Sequence, residues 1–424
     1  MNYANLNNRG IIPYNMANTH LSGAKNAKND EFYTQFSDIQ KEIEAYLEFD
    51  PDTFRGKVVY SNCDDPFESN FFRYFALNFN RLGLKQLITT SYKPSPIANT
   101  QLGLFGDDKT VSMPKGRPKV TANKFIINEV HDMDGDGAFN LSDIAEQLKA
   151  NKNNEWAPLE GDGDFRSPEC VELLKRSDII VTNPPFSLFR EYIKQLYDFN
   201  KKFVIIANKN TITYKEVFPL IKEDKLWAGT MSFSQDILFI APKNADLSDK
   251  PKTAIRVVDG VTYLRSPSIW VTNLDHGRRH QPLSLMTMVD NKKFNKKLGS
   301  KAAYERYDNY DAIEVPFTDA IPSDYDGVMG VPISFLDKYS PEQFEILGAT
   351  QRGCHDEVPD TKKYDSYWEV RQDGSKTGSS GGKTNENANM VGNDGKKNYF
   401  INKEGRVIQS AYQRIFIKHR RALA

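Results

Sequence analysis

Residues 178–193 read DIIVTNPPFSLFREYI, and this stretch decides the fold. DIIVT has the length and β-branched character of one buried strand. Phe189, Ile193, Leu196 and Tyr197 recur at helical spacing and predict an amphipathic helix over 187–199. Between the two stands Asn183-Pro184-Pro185-Phe186. Consecutive prolines fix φ and withdraw two N–H donors, so the strand stops there and the Pro184 carbonyl points out of any ladder. That carbonyl and the Asn183 side-chain oxygen are two acceptors on a rigid turn, suited to an NH₂ group. Phe186 adds a flat face beside them, so the turn suits a planar ring bearing an exocyclic amine. The plainer reading is a Pro-rich strand-to-helix turn capped by Asn. Open α/β sheets place ligands at the carboxyl ends of their parallel strands, which is where this turn falls.

The alternation continues outward. KVVYSN (57–62), LITTSY (87–92) and FVIIAN (203–208) read as strands. SNFFRYFALNFNRLG (69–83), with Phe72, Phe75 and Phe79 on one side and Gly83 as a stop, reads as a helix, as does PECVELLKRS (168–177). YKEVFPLIKED (214–224) reads as helical at least until Pro219. Strands separated by helices of this length imply a parallel sheet with right-handed crossovers, hence an α/β doubly wound domain. LWAGT (226–230) and ILFIAP (237–242) lie too close for a helix between them and predict an antiparallel hairpin on the sheet edge. The expected organisation is a flexible arm at 1–29, the α/β domain at 30–245 with an interruption at 93–160, and a β-rich part at 246–424. In that last part Asp259-Gly260 signals a hairpin, and the polar, low-complexity run 375–395 reads as a mobile loop.

At 424 residues, two or three domains are expected. The 56 Lys and Arg cancel the 56 Asp and Glu, which argues against a polybasic protein while leaving room for a local basic groove. No apolar run approaches the roughly 20 residues of a membrane span. The N-terminus lacks a secretory h-region. Cys63, Cys170 and Cys354 are too far apart for a disulfide framework or a zinc site, so a reduced, cytoplasmic protein is expected. Charge is uneven in the second half. Within 276–306, Arg278, Arg279, Lys292, Lys293, Lys296, Lys297, Lys301 and Arg306 face only Asp290 and Glu305. Within 396–424, Lys396, Lys397, Lys403, Arg406, Arg414, Lys418, Arg420 and Arg421 face only Glu404. A phosphate-bearing partner suits such stretches; solvated faces are the bland alternative.

Asn-Pro-Pro-Phe resembles the catalytic motif of amino-methyltransferases that use S-adenosylmethionine, above all the adenine-N6 DNA methyltransferases. KNDEFYT (28–34) looks like that group's N-terminal cofactor motif, and VVYSNCDDPFESNFF (58–72) like its first-strand motif. GDFRSPECVELLKRSDIIVTNPPFSLFREYI (163–193) looks like the stretch joining cofactor and catalytic motifs. With GVMGVPISFLDKYSPEQFEILG (327–348), the chain resembles the EcoRI-type adenine-specific DNA methyltransferases. The resemblance implies a methyltransferase sheet followed by a target-recognition domain, and transfer of a methyl group to the N6 amine of an adenine flipped out of double-stranded DNA. It implies that Phe32, Tyr33 and Thr34 contact the methionine part of the cofactor, with Asn62, Cys63, Asp64 and Asp65 lining the same end. Asp164 would accept from the cofactor's adenine amine, and Phe165 would pack on that ring. Asn183 and Pro184 would hold the target amine, Pro185 would stiffen the turn, and Phe186 would stack on the base. Lys396, Lys397 and Arg414 are the expected phosphate contacts. Two features depart from the pattern: the first strand runs into Asn-Cys-Asp-Asp-Pro-Phe without a Gly-x-Gly loop, and the second ends in Thr89-Thr90-Ser91-Tyr92 without the acidic residue for the ribose.

Asp132, Asp134, Asp136, Asn140 and Asp143 stand at positions 1, 3, 5, 9 and 12 of a calcium-loop pattern, with Gly137 at the sharp turn. A structural Ca²⁺ in the insertion and an acidic surface turn are both open. On substrate, the Asn-Pro-Pro-aromatic motif also serves enzymes acting on RNA amines or protein glutamine amides, and a silent DNA-binding protein is a third reading. Phe186 and the long basic extension favour duplex DNA. A monomer suffices for one-strand methylation, and a partner restriction endonuclease would be compatible but not required.

Overall fold

The computed structural model describes residues 33–63, 69–92, 122–133, 135, 140, 143–144, 146–147, 153–241, 247–248, 250–298, 304–350, 358, 367–378, 387–392, 398–411 and 413–420. In chain order the first strands are β1 (Val58–Ser61), β2 (Gln86–Thr90), β3 (Asn123–Ile127), β4 (Glu155–Pro158), β5 (Ile179–Thr182) and β6 (Lys202–Asn208). They are followed by β7 (Trp227–Ala228), β8 (Ile237–Ile240), β9 (Ile255–Val258), β10 (Val261–Ser266) and β11 (Ser268–Thr272). Eight of them form one sheet in the order β4-β3-β2-β1-β5-β6-β11-β7. The middle four, β2-β1-β5-β6, are parallel. Antiparallel strands flank them on both sides, where an antiparallel hairpin on the edge was expected.

Two further expectations change. β7 and β8 do not pair with each other: β7 closes the large sheet against β11, while β8 joins the three-stranded sheet β8-β10-β9. The large sheet also does not end by residue 245, because β11 inserts between β6 and β7. The helix expected from 214 begins only at Phe218 and runs to Lys222, with Pro219 in its first turn, where its missing N–H costs nothing.

Side-chain alternation sorts the sheet into two buried faces. Val58, Tyr60, Ile180, Phe203 and Ile205 face one core with Leu173, Leu174, Tyr192 and Leu196 of the helices Pro168–Arg176 and Phe189–Asp198. Val59, Ile179, Val181, Val204 and Ile206 face the other with Ile39, Ile43, Phe71, Phe72 and Phe75 of the helices Phe36–Phe49 and Asn70–Leu77. The local signals are those of the sequence. Ser69 caps its helix by accepting from the N–H groups of Phe71 and Phe72, and Gly83 closes the next turn at φ 62°. Pro168 opens its helix behind Ser167, with Lys175 and Arg176 in the last turn.

The second half adds β12 (Ile313–Glu314), β13 (Met329–Pro332), β14 (Phe344–Ala349), β15 (Tyr367–Arg371), β16 (Asn389–Val391), β17 (Asn398–Asn402), β18 (Val407–Ser410) and β19 (Arg414–His419). The sheet β12-β13-β19-β14 sends Met329, Val331, Phe344, Ile346, Ile415 and Ile417 into the first core, covering that face beside the helices. Its other side, with Tyr310 and Phe416, packs with Ala388 and Met390 beneath the sheet β15-β17-β18-β16. Part of the run read as a loop is thereby ordered: Asn389–Val391 is a strand, and Ser375 folds back on Arg371. Residues 379–386 and 393–397, like the arm at 1–29, lie outside the described residues.

Candidate functional site

The carboxyl edge of the parallel strands collects the motifs. β1 and β5 pair in parallel with Val59 beside Ile179 and Tyr60 beside Ile180, so Asn62 comes level with Thr182. The Thr182 hydroxyl donates to the Asn62 carbonyl, and the Tyr192 hydroxyl donates to the Asn62 side-chain oxygen. Asn62 is buried and joins the loop after β1 to the strand that delivers the tetrapeptide. Cys63 follows with φ 65°, a left-handed conformation that a non-glycine residue seldom adopts and that often marks a functional loop.

Asn183 is half-buried, and its Oδ1 is shielded from solvent. Pro184 is buried, and no described residue donates to its carbonyl. Pro185 accepts from the Leu188 N–H to start a short 3₁₀ turn, Phe186–Leu188. Phe186 is half-buried against the second core.

On that same side of the sheet, three buried hydroxyls meet no hydrogen-bond partner among the described residues: Thr34 Oγ1, Ser61 Oγ and Thr89 Oγ1. Ser61 and Thr89 are directly opposite in the β1–β2 register. Thr34 is brought near the start of the Asn70–Leu77 helix, where the Asn70 amide donates to its carbonyl at 2.7 Å. Tyr33 pairs through its backbone with Ile240 of β8 at 2.9 and 2.8 Å. Buried hydroxyls left unmatched are costly, about 1–3 kcal/mol each, so each calls for a partner that water or a bound ligand can supply. Thr34 was expected here; Ser61 and Thr89 were not. Their only signal in the sequence was the missing acidic residue after the second strand.

The Asp164 loop closes the same edge. Gly163, at φ 81°, lies so close to the end of β2 that an added Cβ would sit 1.9 Å from the Ser91 carbonyl oxygen. Asp164 is bound to Arg166: Oδ1 accepts from the backbone N–H at 2.8 Å and from Nε at 2.9 Å, and Oδ2 from Nη2 at 2.6 Å. Desolvation pushes this carboxyl up, but the hydrogen bonds and charge of Arg166 outweigh it and hold the pKa below the usual Asp value. One acceptor position on Oδ2 is left over for an amine. Phe165 is buried, with its ring edge-on to Tyr192 at 5.0 Å.

Other expected positions fall elsewhere. Arg414 is not a surface cation. It forms a bidentate pair with Glu314, Nε to Oε2 at 2.9 Å and Nη2 to Oε1 at 2.6 Å, with side chains 12% and 3% exposed. The calcium loop is not supported. Asp143 turns both oxygens to the loop's own backbone, accepting from Met133 at 2.7 Å and Asn140 at 2.8 Å. Asp132 likewise accepts from the Gly135 N–H at 2.7 Å, and no metal-holding cluster occurs among the described residues. Phe32, Asp64, Asp65, Asp134, Asp136, Lys396 and Lys397 lie outside the described residues. No helix among the described residues is long and apolar enough to cross a membrane.

A mixed α/β sheet that gathers unmatched hydroxyls and an Asn-Pro-Pro-Phe turn on one edge has the parts of an amine-directed methyltransferase. The chain belongs to the EcoRI family of adenine-specific methyltransferases, whose family model matches residues 20–420. It is 44% identical over 335 residues to the Type II methyltransferase M.EcoRI of Escherichia coli, covering 78% of this chain and 90% of that one. It is 34% identical over 329 residues to the Type II methyltransferase M.MpnI of Mycoplasma pneumoniae, covering 77% and 85%. Identity to the Type II methyltransferase M.MgeORF184P of Mycoplasma genitalium is 34% over 335 residues, again covering 77% and 85%. No solved structure matches the chain. The family implies S-adenosylmethionine as methyl donor, and the unmatched hydroxyls of Thr34, Ser61 and Thr89 fit a ligand rich in polar atoms.

Proposed function

We propose that this enzyme methylates the N6 amine of an adenine turned out of a specific double-stranded DNA sequence. The observation that carries the reading is the Thr182–Asn62 hydrogen bond, which holds the Asn-Pro-Pro-Phe turn beside the loop after β1. Thr34, Ser61, Thr89, Asn62 and Asp164 would hold the cofactor along the carboxyl edge, as in a doubly wound methyltransferase sheet. The reversed strand β11 between β6 and β7 belongs to the same picture. S-adenosylmethionine supplies, when bound, a sulfonium methyl group open to attack by a nucleophile.

An adenine amine is a poor nucleophile because its lone pair is delocalised into the ring. Asn183 Oδ1 and the Pro184 carbonyl accept its two hydrogens and favour a pyramidal nitrogen whose lone pair is directed at the methyl carbon. Attack would form the N–C bond as the C–S bond breaks, its electron pair staying on sulfur as a neutral thioether, and the cationic nitrogen would pass one proton to solvent. No covalent enzyme intermediate is needed, and positioning supplies much of the rate. Turning the base out of the stack costs a few kcal/mol, offset in part by Phe186 and the two hydrogen bonds. Residues 246–424, apart from β11, form the target-recognition part in this reading.

Transfer of tritiated methyl to duplex DNA, RNA and protein, followed by mapping of the labelled atom, is the test. Label on adenine N6 of duplex DNA is expected. Label confined to RNA or to glutamine, or none at all, would overturn the reading.

A further inference from the structure

The connection from β7 to β11 carries an element that methyl transfer itself does not use. β9 and β10 form a two-stranded antiparallel ribbon, with Asp259 at φ 50° and Gly260 at φ 77° in its tip. Two successive left-handed residues are the signature of a tight type I′ hairpin, whose twist matches its strands. The base of the ribbon is anchored at the carboxyl edge of the large sheet. β10 runs through Pro267 into β11, whose first residue, Ser268, pairs with Asn208 at the end of β6. That end is on the same edge as Asn183, on the strand next to β5.

The base is rigid. Asp236 accepts from Lys209 at 2.5 Å and from Arg265 at 2.7 Å, tying β10 to the segment after β6. β8 pairs with β10 from Ser266 to Tyr263, and Leu264, Ile237 and Phe239 are buried. The Ala241 N–H still donates to the Thr262 carbonyl at 2.8 Å, so the Val257–Thr262 rung is held on that side, and the Val258–Val261 rung with the turn projects past it. Here the burial stops. Val257 is 64% exposed and Val261 38% exposed, on opposite faces of the tip. Lys252 and Arg256 are exposed and form no ion pair among the described residues.

A rigid ribbon with basic flanks and apolar tips on both faces, standing beside the catalytic turn, is a poor surface to leave in water. We infer that it enters the major groove of the substrate duplex next to the flipped adenine, which rests on the function proposed above. The major groove is about 12 Å wide and admits a two-stranded ribbon. Arg256 and Lys252 meet phosphates at the groove wall, while Val257 and Val261 make apolar contacts with base edges such as thymine methyl groups. The cations therefore supply affinity for any duplex, and the valines supply discrimination.

The two roles separate experimentally. Once the methylated site has been mapped, two fluorescent duplexes are compared by anisotropy: one carrying that site and one with a single adjoining base pair exchanged. Val257→Thr/Val261→Thr keeps the shape and the strand propensity. It should weaken binding to the mapped duplex by roughly tenfold and narrow the gap to the altered one. Arg256→Ala/Lys252→Ala should weaken both duplexes alike and flatten the salt dependence. Calorimetric cofactor affinity and melting temperature should be those of the wild type in every variant. Wild-type affinity and discrimination in both double variants, with methyl transfer to DNA intact, would overturn the ribbon's role alone. Absence of transfer to any duplex by the wild type would instead overturn the function on which it rests.

Discussion

Thr89→Val should move the stability of the cofactor-free enzyme and its cofactor affinity in opposite directions. Thr89 is wholly buried at the end of β2, and its hydroxyl meets no donor or acceptor among the described residues. An unmatched buried hydroxyl costs about 1–3 kcal/mol, and valine fills the same volume without that cost. The free enzyme should therefore gain about 1 kcal/mol, or roughly 2–4 °C in Tm for a cooperative unit of some 150–250 residues. If the hydroxyl serves the cofactor, the variant loses one hydrogen bond worth about 0.5–1.5 kcal/mol, a roughly 2- to 12-fold weaker Kd. Ligand linkage then narrows the gain in Tm as cofactor is added. Thermal melts with and without S-adenosylmethionine, together with titration calorimetry, read both quantities. A lowered Tm in the free enzyme with unchanged Kd would refute the reasoning, since Thr89 would then be an ordinary structural threonine.

Asn183→Ala should reduce kcat with DNA by orders of magnitude while calorimetric cofactor affinity stays near that of the wild type, because in the proposed function the lost acceptor faces the target amine. Tyr192→Phe removes the donor to Asn62 and should weaken the cofactor Kd by roughly 2- to 12-fold without displacing the buried ring; circular dichroism and calorimetry check both halves. Arg414→Ala should cost about 3–5 kcal/mol in urea melts, because Glu314 is left as an uncompensated buried charge. Below its melting range, that variant should keep the wild-type salt slope of DNA binding. For Asp236, desolvation raises the carboxyl, but Lys209 and Arg265 outweigh it and the folded pKa is lowered. Its contribution to stability is therefore present above the unfolded Asp value of about 3.9 and fades as pH falls through the folded one. Melts of Asp236→Asn between pH 3 and 7 should show a smaller acid loss than the wild type.

What was legible in the sequence was local. DIIVTN and FVIIAN are so uniformly β-branched and apolar that burial on both faces is almost the only outcome, and Ser69 and Pro168 announce their helices by capping chemistry. Pairing direction at the sheet edges was not legible, because β7 is two residues long and takes its partner, β11, from beyond a 39-residue connection. The C-terminal sheets were hidden for the same reason: β13 pairs with β19 across more than eighty residues of chain, and no local pattern encodes that choice. Arg414 shows the limit for charges. It lies in a stretch whose charged residues are almost all basic, whereas the carboxylate that takes up its charge is 100 residues away. The site divides likewise. The Asn-Pro-Pro-Phe turn is a contiguous signal, whereas Ser61 and Thr89 become remarkable only once both are seen buried opposite each other without partners.

The parallel register of β1 on β5 is what makes two separate motifs into one site. A methyl transfer that relies on positioning tolerates little displacement between donor and acceptor. β strands supply such precision cheaply, because a slip of one residue would turn every side chain to the opposite face and bury Thr182 or Asn62 wrongly. The Thr182 hydroxyl fixes the height of the Asn62 backbone, and the Tyr192 hydroxyl fixes its amide. With Oδ1 committed to Tyr192, the group Asn62 has left to offer is its Nδ2 donor, which suits the carboxylate end of a methionine moiety. Tyr192 in turn braces Phe165 beside Asp164, so a single buried ring supports both loops of the cofactor edge. It stands six residues after Phe186, on the helix that the double proline launches. In the proposed function, the turn that presents acceptors to the target amine thus also sets the helix that orients the cofactor's neighbours, so that neither half shifts without the other.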